Sequence, residues 1–318
     1  GAVRNGAGSA TVALSKTGTG IQTLSGANTH SGGTTLGGGV LNINSATALG
    51  TGTFTISGAY SFDNSSGANI TLASNNAQAW NGDFTFIGSK SLNLGTGAAT
   101  MNGNRTVTVL TNTLSVGGVI SGGYSLTKNG AGMLVLSGAN SYSGATTVNG
   151  GALIVNSPGS LASGSAVTVN TGALLGGSGT VNGTLTAATN SLLAPGGLNT
   201  VGTLTLANTS ASTLTLNGAT MLFDLSNVSG VGTNDQIALT GAGSKVVLTG
   251  VNRIALNFPS NGIPAGVYTL ISSMAGITTN AGFSISLLTA YPNASVDIVG
   301  SNVVLTVTAP GISSALWK

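Results

Sequence analysis

Few side chains in this 318-residue chain can do chemistry. Its only acids are five aspartates, Asp63, Asp83, Asp224, Asp235 and Asp297; there is no glutamate. Asp63, Asp83 and Arg105 follow one another at intervals of about 20 residues, roughly one coil of a chain that returns on itself with that period. In such a chain these three would stack in a column, a carboxylate pair beside a cation. Two carboxylates at a suitable separation serve as general acid and base in cleaving a polysaccharide. The competing reading is that each Asp caps a turn, as Asp commonly does through its side-chain oxygens.

Other chemistries lack their residues. His30 is the only histidine and there is no cysteine, which excludes a His-based triad, a zinc pair, a thiolate site and a disulfide. Two isolated carboxylates are too few for a strong calcium site, which takes about 6–8 oxygens. No metal and no cofactor is therefore expected. The Gly-x-Gly steps in "GTGIQTLSG" and "GAGMLVLSG" are not followed by a helix, so they are no phosphate loop. Net charge is +3, but Lys16, Lys90, Arg105, Lys128, Lys245 and Arg253 are scattered, which excludes the clustered patch nucleic acid needs. No run approaches the ~20 apolar residues of a membrane-spanning helix. Thr-x-Thr pairs such as Thr106/Thr108 and Thr203/Thr205 are irregularly spaced, which fits strands better than an ice-binding lattice. Asn-x-Ser/Thr sequons at Asn64, Asn69, Asn104, Asn182, Asn208, Asn227 and Asn293 follow from composition.

What positions these residues is written in the composition. Charged residues are 4% of the chain, against about a quarter in an ordinary globular protein. Glycine is 52 of 318 residues, and helix formers such as Glu, Lys and Gln are nearly absent. A flexible linker is excluded by a mean hydropathy of +0.40, only 6 Pro and recurring Leu, Val and Ile. Residues 14–52 repeat at 126–164 without a gap, with about 20 of 39 positions identical, among them Lys16/Lys128, Asn28/Asn140 and Thr34/Thr146. His30 falls where Tyr142 sits, which argues for packing or a surface contact. Short segments such as "VLNINS", "TVTVLTN", "ALIVNS" and "TLTLNG" alternate with period two and end in Gly, Asn or Ser. The pattern predicts an all-β chain, a Gly/Ser/Thr/Asn-rich parallel β-helix or β-solenoid with about 20 residues per coil. Columns of apolar residues would face inward, and Gly and Asn would turn the corners.

The phrase "GAGMLVLSGANSYSGATTVNGGALIVN" at 130–156, with its copy at 18–44, resembles the autotransporter-associated β-strand repeat, or passenger-associated transport repeat. "GSGTVNGTLTAATNSLLAPGGLNTVGTLTL" (177–206), "GATMLFDL…NDQIALTG" (218–241) and "GIPAGVYTLISSMAGI" (262–277) are similar to segments that follow it in such proteins. The resemblance implies a right-handed parallel β-helix on an exported bacterial protein, extracellular or on the cell surface. It also implies that Asp235 is a turn residue.

From these readings, residues 1–222 are expected to form the solenoid, 223–310 its β-rich continuation or a small β cap, and 311–318 a tail. The chain opens at Gly1, which reads as a processed or excerpted segment. The expected function is that of a non-catalytic structural protein that assembles head-to-tail with copies of itself into a fibre or layer. A surface this poor in charge promotes association, and solenoid ends expose strand edges. Ile312, Leu316 and Trp317 in the tail "GISSALWK" are the expected subunit contacts. The alternative is an adhesin that binds surface glycans through a solenoid flank, for which Trp80, Tyr124, Tyr142, Tyr268, Tyr291 and Trp317 are candidate stacking residues. A polysaccharide-degrading enzyme using Asp63, Asp83 and Arg105 is the third.

Overall fold

A computed structural model describes every residue except 9, 211–212, 227–233, 259–261, 281–283, 288, 290, 292 and 309–318. All regular elements among the described residues are strands, and no helix is long and apolar enough to cross a membrane. The strands pair in parallel and stack as a β-solenoid. The chain divides into two compact units, Gly1–Leu153 with Pro158–Ser165, and Ile154–Ser157 with Ala166–Lys318.

In the first unit, one face stacks Leu14–Lys16, Thr34–Leu36, Phe54–Ile56, Gln78–Trp80, Ala99–Met101 and Ile120–Ser121 in that order. A second face runs from Ile21–Leu24 through Val40–Ile43, Tyr60–Asp63, Phe84–Phe86, Arg105–Val109 and Leu126–Asn129 to Thr146–Val148. A third carries Ile70–Thr71, Leu92–Asn93, Thr113–Val116 and Met133–Leu136. Registered partners recur close to the period read from the sequence, as in Leu14 with Thr34 and Ile21 with Val40, whereas the coil from Phe54 to Gln78 is a few residues longer. Period-two alternation puts one side chain of each pair inside, so Leu36, Ile56, Trp80 and Met101 form one buried column. Burying each such side chain contributes about 1.5–3 kcal/mol. Aromatics thicken the middle coils: Phe62 lies 5.8, 5.5 and 5.5 Å from Phe54, Phe84 and Phe86, and Trp80 lies 5.0 Å from Phe84.

The second unit keeps the parallel pairing but lengthens the coil. Val167 pairs with Leu185 after a short coil, whereas later coils are longer, as from Leu185 to Leu214 or from Ala238 to Ser272. The extra residues lie in the connections, because the strands and their inward columns (Val169, Ala187, Leu216, Leu248) continue in register. Parallel pairing runs on past residue 223, from Thr220–Asp224 to Val251–Asn257 and then Ser284–Leu287. One face ends differently. Gly266–Ser272 takes Asn302–Val307 antiparallel, and Ala294–Val299 follows antiparallel outside it.

Candidate functional site

The repeated phrase builds the same buried polar cluster twice in the first unit. Lys16 and Lys128 lie in equivalent strands with little or no exposure, 8% and 0%. Lys16 Nζ donates to the carbonyls of Thr17, Gly18 and Gly38 at 2.8–3.0 Å. Lys128 Nζ donates to those of Asn129, Gly130 and Gly150 at 3.0–3.1 Å. An ammonium has three protons, so each lysine is saturated by the turn of its own coil and the turn of the next. Burial pulls Lys128 down to about 8, although the three carbonyl dipoles favour its charged form.

Asn28 and Asn140 join successive coils in the same way. Asn28 Oδ1 accepts from Val3 N–H and its Nδ2 donates to Ala48 O; Asn140 does the same with Ile120 N–H and Ser160 O. Tyr142 donates or accepts with Thr146 Oγ1 at 2.8 Å, and His30 Nε2 meets Thr34 Oγ1 at 2.9 Å. His30 is therefore a core residue. Its Nδ1 is buried with no hydrogen-bond partner among the described residues, and burial lowers its pKa, the Val3 backbone offsetting only part. Glycine is required where the turns meet. Gly39 and Gly151 have φ of 55° and 58°, and a Cβ on either would stand 2.3 Å from the carbonyl oxygen of Gly20 or Gly132.

Asp63, Asp83 and Arg105 do not form the stacked column that their spacing suggests. Tyr60 registers with Phe84 and Phe62 with Phe86, so the place beside Asp63 falls to Ile87, well beyond Asp83. Asp63 closes one strand while Asp83 precedes the start of the next, on the order of 13 Å apart along the strand direction. Asp63 is buried and accepts from Gly88 N–H, Ser89 N–H and Ser89 Oγ, capping the turn of the following coil. Asp83 is half exposed, accepts Thr106 N–H and lies 3.8 Å from Arg105 Nη1. Arg105 donates to Trp80 O and Asn102 Oδ1. Each aspartate thus serves a turn, and no carboxylate pair stands free for catalysis among these three.

The aromatics form no exposed row among the described residues. Trp80 and Tyr142 are fully buried, Tyr268 is nearly so, and Tyr291 packs on Phe258; Tyr124 is the exposed one, at 40%. Ile312, Leu316 and Trp317 lie outside the described residues.

The second unit holds an acid pair that the sequence does not announce. Asp235, just before a strand, is fully buried; its Oδ1 accepts from Gly202 N–H and its Oδ2 from Asp224 N–H, both at 2.7 Å. Burial pushes its carboxyl up to about 8, opposed by these two N–H groups and helped by the charge of Asp224. Asp235 ties the loop 196–202 to the end of the strand Thr220–Asp224. Beside that tie is a cavity of about 440 Å³ lined by Leu192, Leu198, Leu222 and Ala255, with Asn199, Asp224 and Asn257 at its polar end. Only the in-register pairing of Asp224 with Asn257 could have revealed this end, and no repeat marks it.

The fold and the repeated cluster define a β-solenoid that carries the same coil-forming repeat at two places. Residues 14–43 and 126–155, the segments carrying Lys16 and Lys128, match the model of the passenger-associated-transport-repeat family. The chain is also 31% identical over 162 residues to the adhesin BmaC autotransporter of Brucella suis biovar 1 (strain 1330). That alignment covers 51% of this chain and 5% of the adhesin.

Proposed function

We propose that the chain is a non-catalytic scaffold segment of a secreted or cell-surface bacterial passenger, with its outer faces serving adhesion. One observation carries the scaffold part: the polar residues of the repeat are used up inside the coil. Lys16, Lys128, Asn28, Asn140, Thr34 and Thr146 are buried and bonded to neighbouring coils. A residue spent in this way is not offered to a substrate. The repeat match and the adhesin relative support export and adhesion. The test is attachment of bacteria displaying this chain to host cells, beside a search for reducing sugar ends released by the purified chain from a polysaccharide panel. Attachment above an undisplayed control without sugar release is expected; released sugar ends overturn the non-catalytic part, and attachment equal to the control overturns the adhesive part.

Self-association head-to-tail is a second reading. Among the described residues, the strands Leu14–Lys16 and Ile21–Leu24 pair on one side only, and Ile21 is 70% exposed. Such an edge accepts a further strand, and a second copy can supply it. Ile312, Leu316 and Trp317 remain the proposed contacts on the partner copy. Negative-stain microscopy of the chain with and without residues 311–318 tests this. Fibres lost on deletion support it, and fibres unchanged remove the tail from it.

A further inference from the structure

The cavity in the second unit has a chemistry that the scaffold role does not use. Its floor is the outward face of two paired strands, where Leu222 registers with Ala255 and Asp224 with Asn257. Leu192 and Thr220 continue the floor, and the loop carrying Leu198 and Asn199 forms the wall. At the polar end, Asn257 Nδ2 donates to Asp224 Oδ1 at 2.5 Å and to Asn199 Oδ1 at 3.3 Å. Both amide protons of Asn257 are thereby used. Among the described residues, Asp224 Oδ2, Asn257 Oδ1 and Asn199 Nδ2 have no hydrogen-bond partner. Two of these three free atoms are acceptors, one of them on a carboxylate. The cation nearest in sequence on this face, Arg253, is exposed and lies back along the strand from Asn257, roughly 13 Å away.

We propose that this cavity binds an organic ammonium group carried on an apolar body. The ammonium donates to Asp224 Oδ2 and Asn257 Oδ1, and the body lies along Leu192, Leu198, Leu222 and Ala255. A charge-assisted hydrogen bond to a carboxylate in a partly enclosed site is stronger than a neutral one, and the apolar wall adds affinity in proportion to the area it covers. A free amine and a protein lysine share this chemistry. Asp235 shapes the site without touching the ligand, because it holds Gly202 at the base of the loop.

Binding of hexylamine, hexanol and hexanoate to the complete chain, measured by saturation-transfer NMR, tests the assignment without a mutation. Hexylamine is expected to bind at least about tenfold more tightly than either isostere. Asp224→Asn keeps the acceptor for Asn257 and should lower hexylamine affinity by roughly tenfold or more; Leu198→Ser, on an exposed loop position, should lower it a few-fold. Hexanol binding as well as hexylamine overturns the proposal. So does wild-type hexylamine affinity in a folded Asp224→Asn chain or in Leu198→Ser. Displacement of hexylamine by a capped Ala-Lys-Ala peptide points to protein lysines as the source, and displacement by spermidine to free amines. Displacement by neither counts against the site.

Discussion

In the first unit Lys16 and Lys128 bury ammonium groups against three carbonyls each; in the second, Asp235 buries a carboxyl against two backbone N–H groups. The lysine clusters recur because the two coils that hold them are of similar length, as from Ile21 to Val40 and from Leu126 to Thr146, so one solution to a turn can be used again. The Asp235 cluster occurs once, where coils have lengthened, as from Thr203 to Gln236, and a connection must be tied down individually. A short, regular coil leaves little outside its own hydrogen-bond ladder. A long coil leaves loops, and the loop 196–202 is what encloses a cavity.

The largest difference should come from the lysines. Lys128→Met leaves three partly buried carbonyls without their ammonium donor and should cost about 3 kcal/mol. Amide hydrogen exchange is expected to accelerate at 126–129 and 146–148 while 236–239 keeps its protection. Equal loss of protection in both units would mean that they do not differ in the way described.

The second difference is in pH response. Asp235 holds its proton up to about 8 in the folded unit but releases it in the ordinary carboxylate range when unfolded. Its contribution is therefore complete at acid pH and is lost as pH rises towards 8. In urea unfolding from about pH 4 to about pH 8, the wild-type chain should lose stability relative to Asp235→Asn as pH increases. His30 acts in the opposite direction in the first unit. Its lowered pKa means that the unfolded chain takes up a proton the folded one refuses, so stability falls as pH drops below ~6.5. His30→Tyr, which copies Tyr142, should remove that loss and stay within ~1 kcal/mol of wild type at neutral pH.

The smallest effect belongs to the residues that first suggest catalysis. Asp83→Ala breaks a half-exposed ion pair and one bond to Thr106 N–H, and should cost no more than about 1 kcal/mol in a thermal melt. A loss of several kcal/mol would give Asp83 a role beyond its turn.

Much of the first unit was legible in the sequence, because alternation of Leu, Ile and Val with Thr and Ser fixes which side chains face inward, and the shift of 112 between Lys16 and Lys128 marks two equivalent coils. The lysines carry a signal of their own: two of very few charges in the chain fall at matched positions of a repeat. The failure at Asp63 and Asp83 has a geometric cause. A coil longer than the assumed period is invisible when the extra residues are themselves Gly, Ser and Asn, as in "NSSGAN" (64–69). The pairing of Asp224 with Asp235 was illegible for another reason. It joins a strand end to the start of a later strand across a connection, and neither period two nor the coil period predicts that approach.

The thermal stability of Lys16→Met and Lys128→Met, measured beside surface attachment, tests most directly whether the repeat is scaffold. Both variants should melt well below wild type, and attachment should fall only in step with the unfolded fraction. A variant that melts like wild type yet no longer attaches would contradict this, and would make the repeated lysine a binding residue.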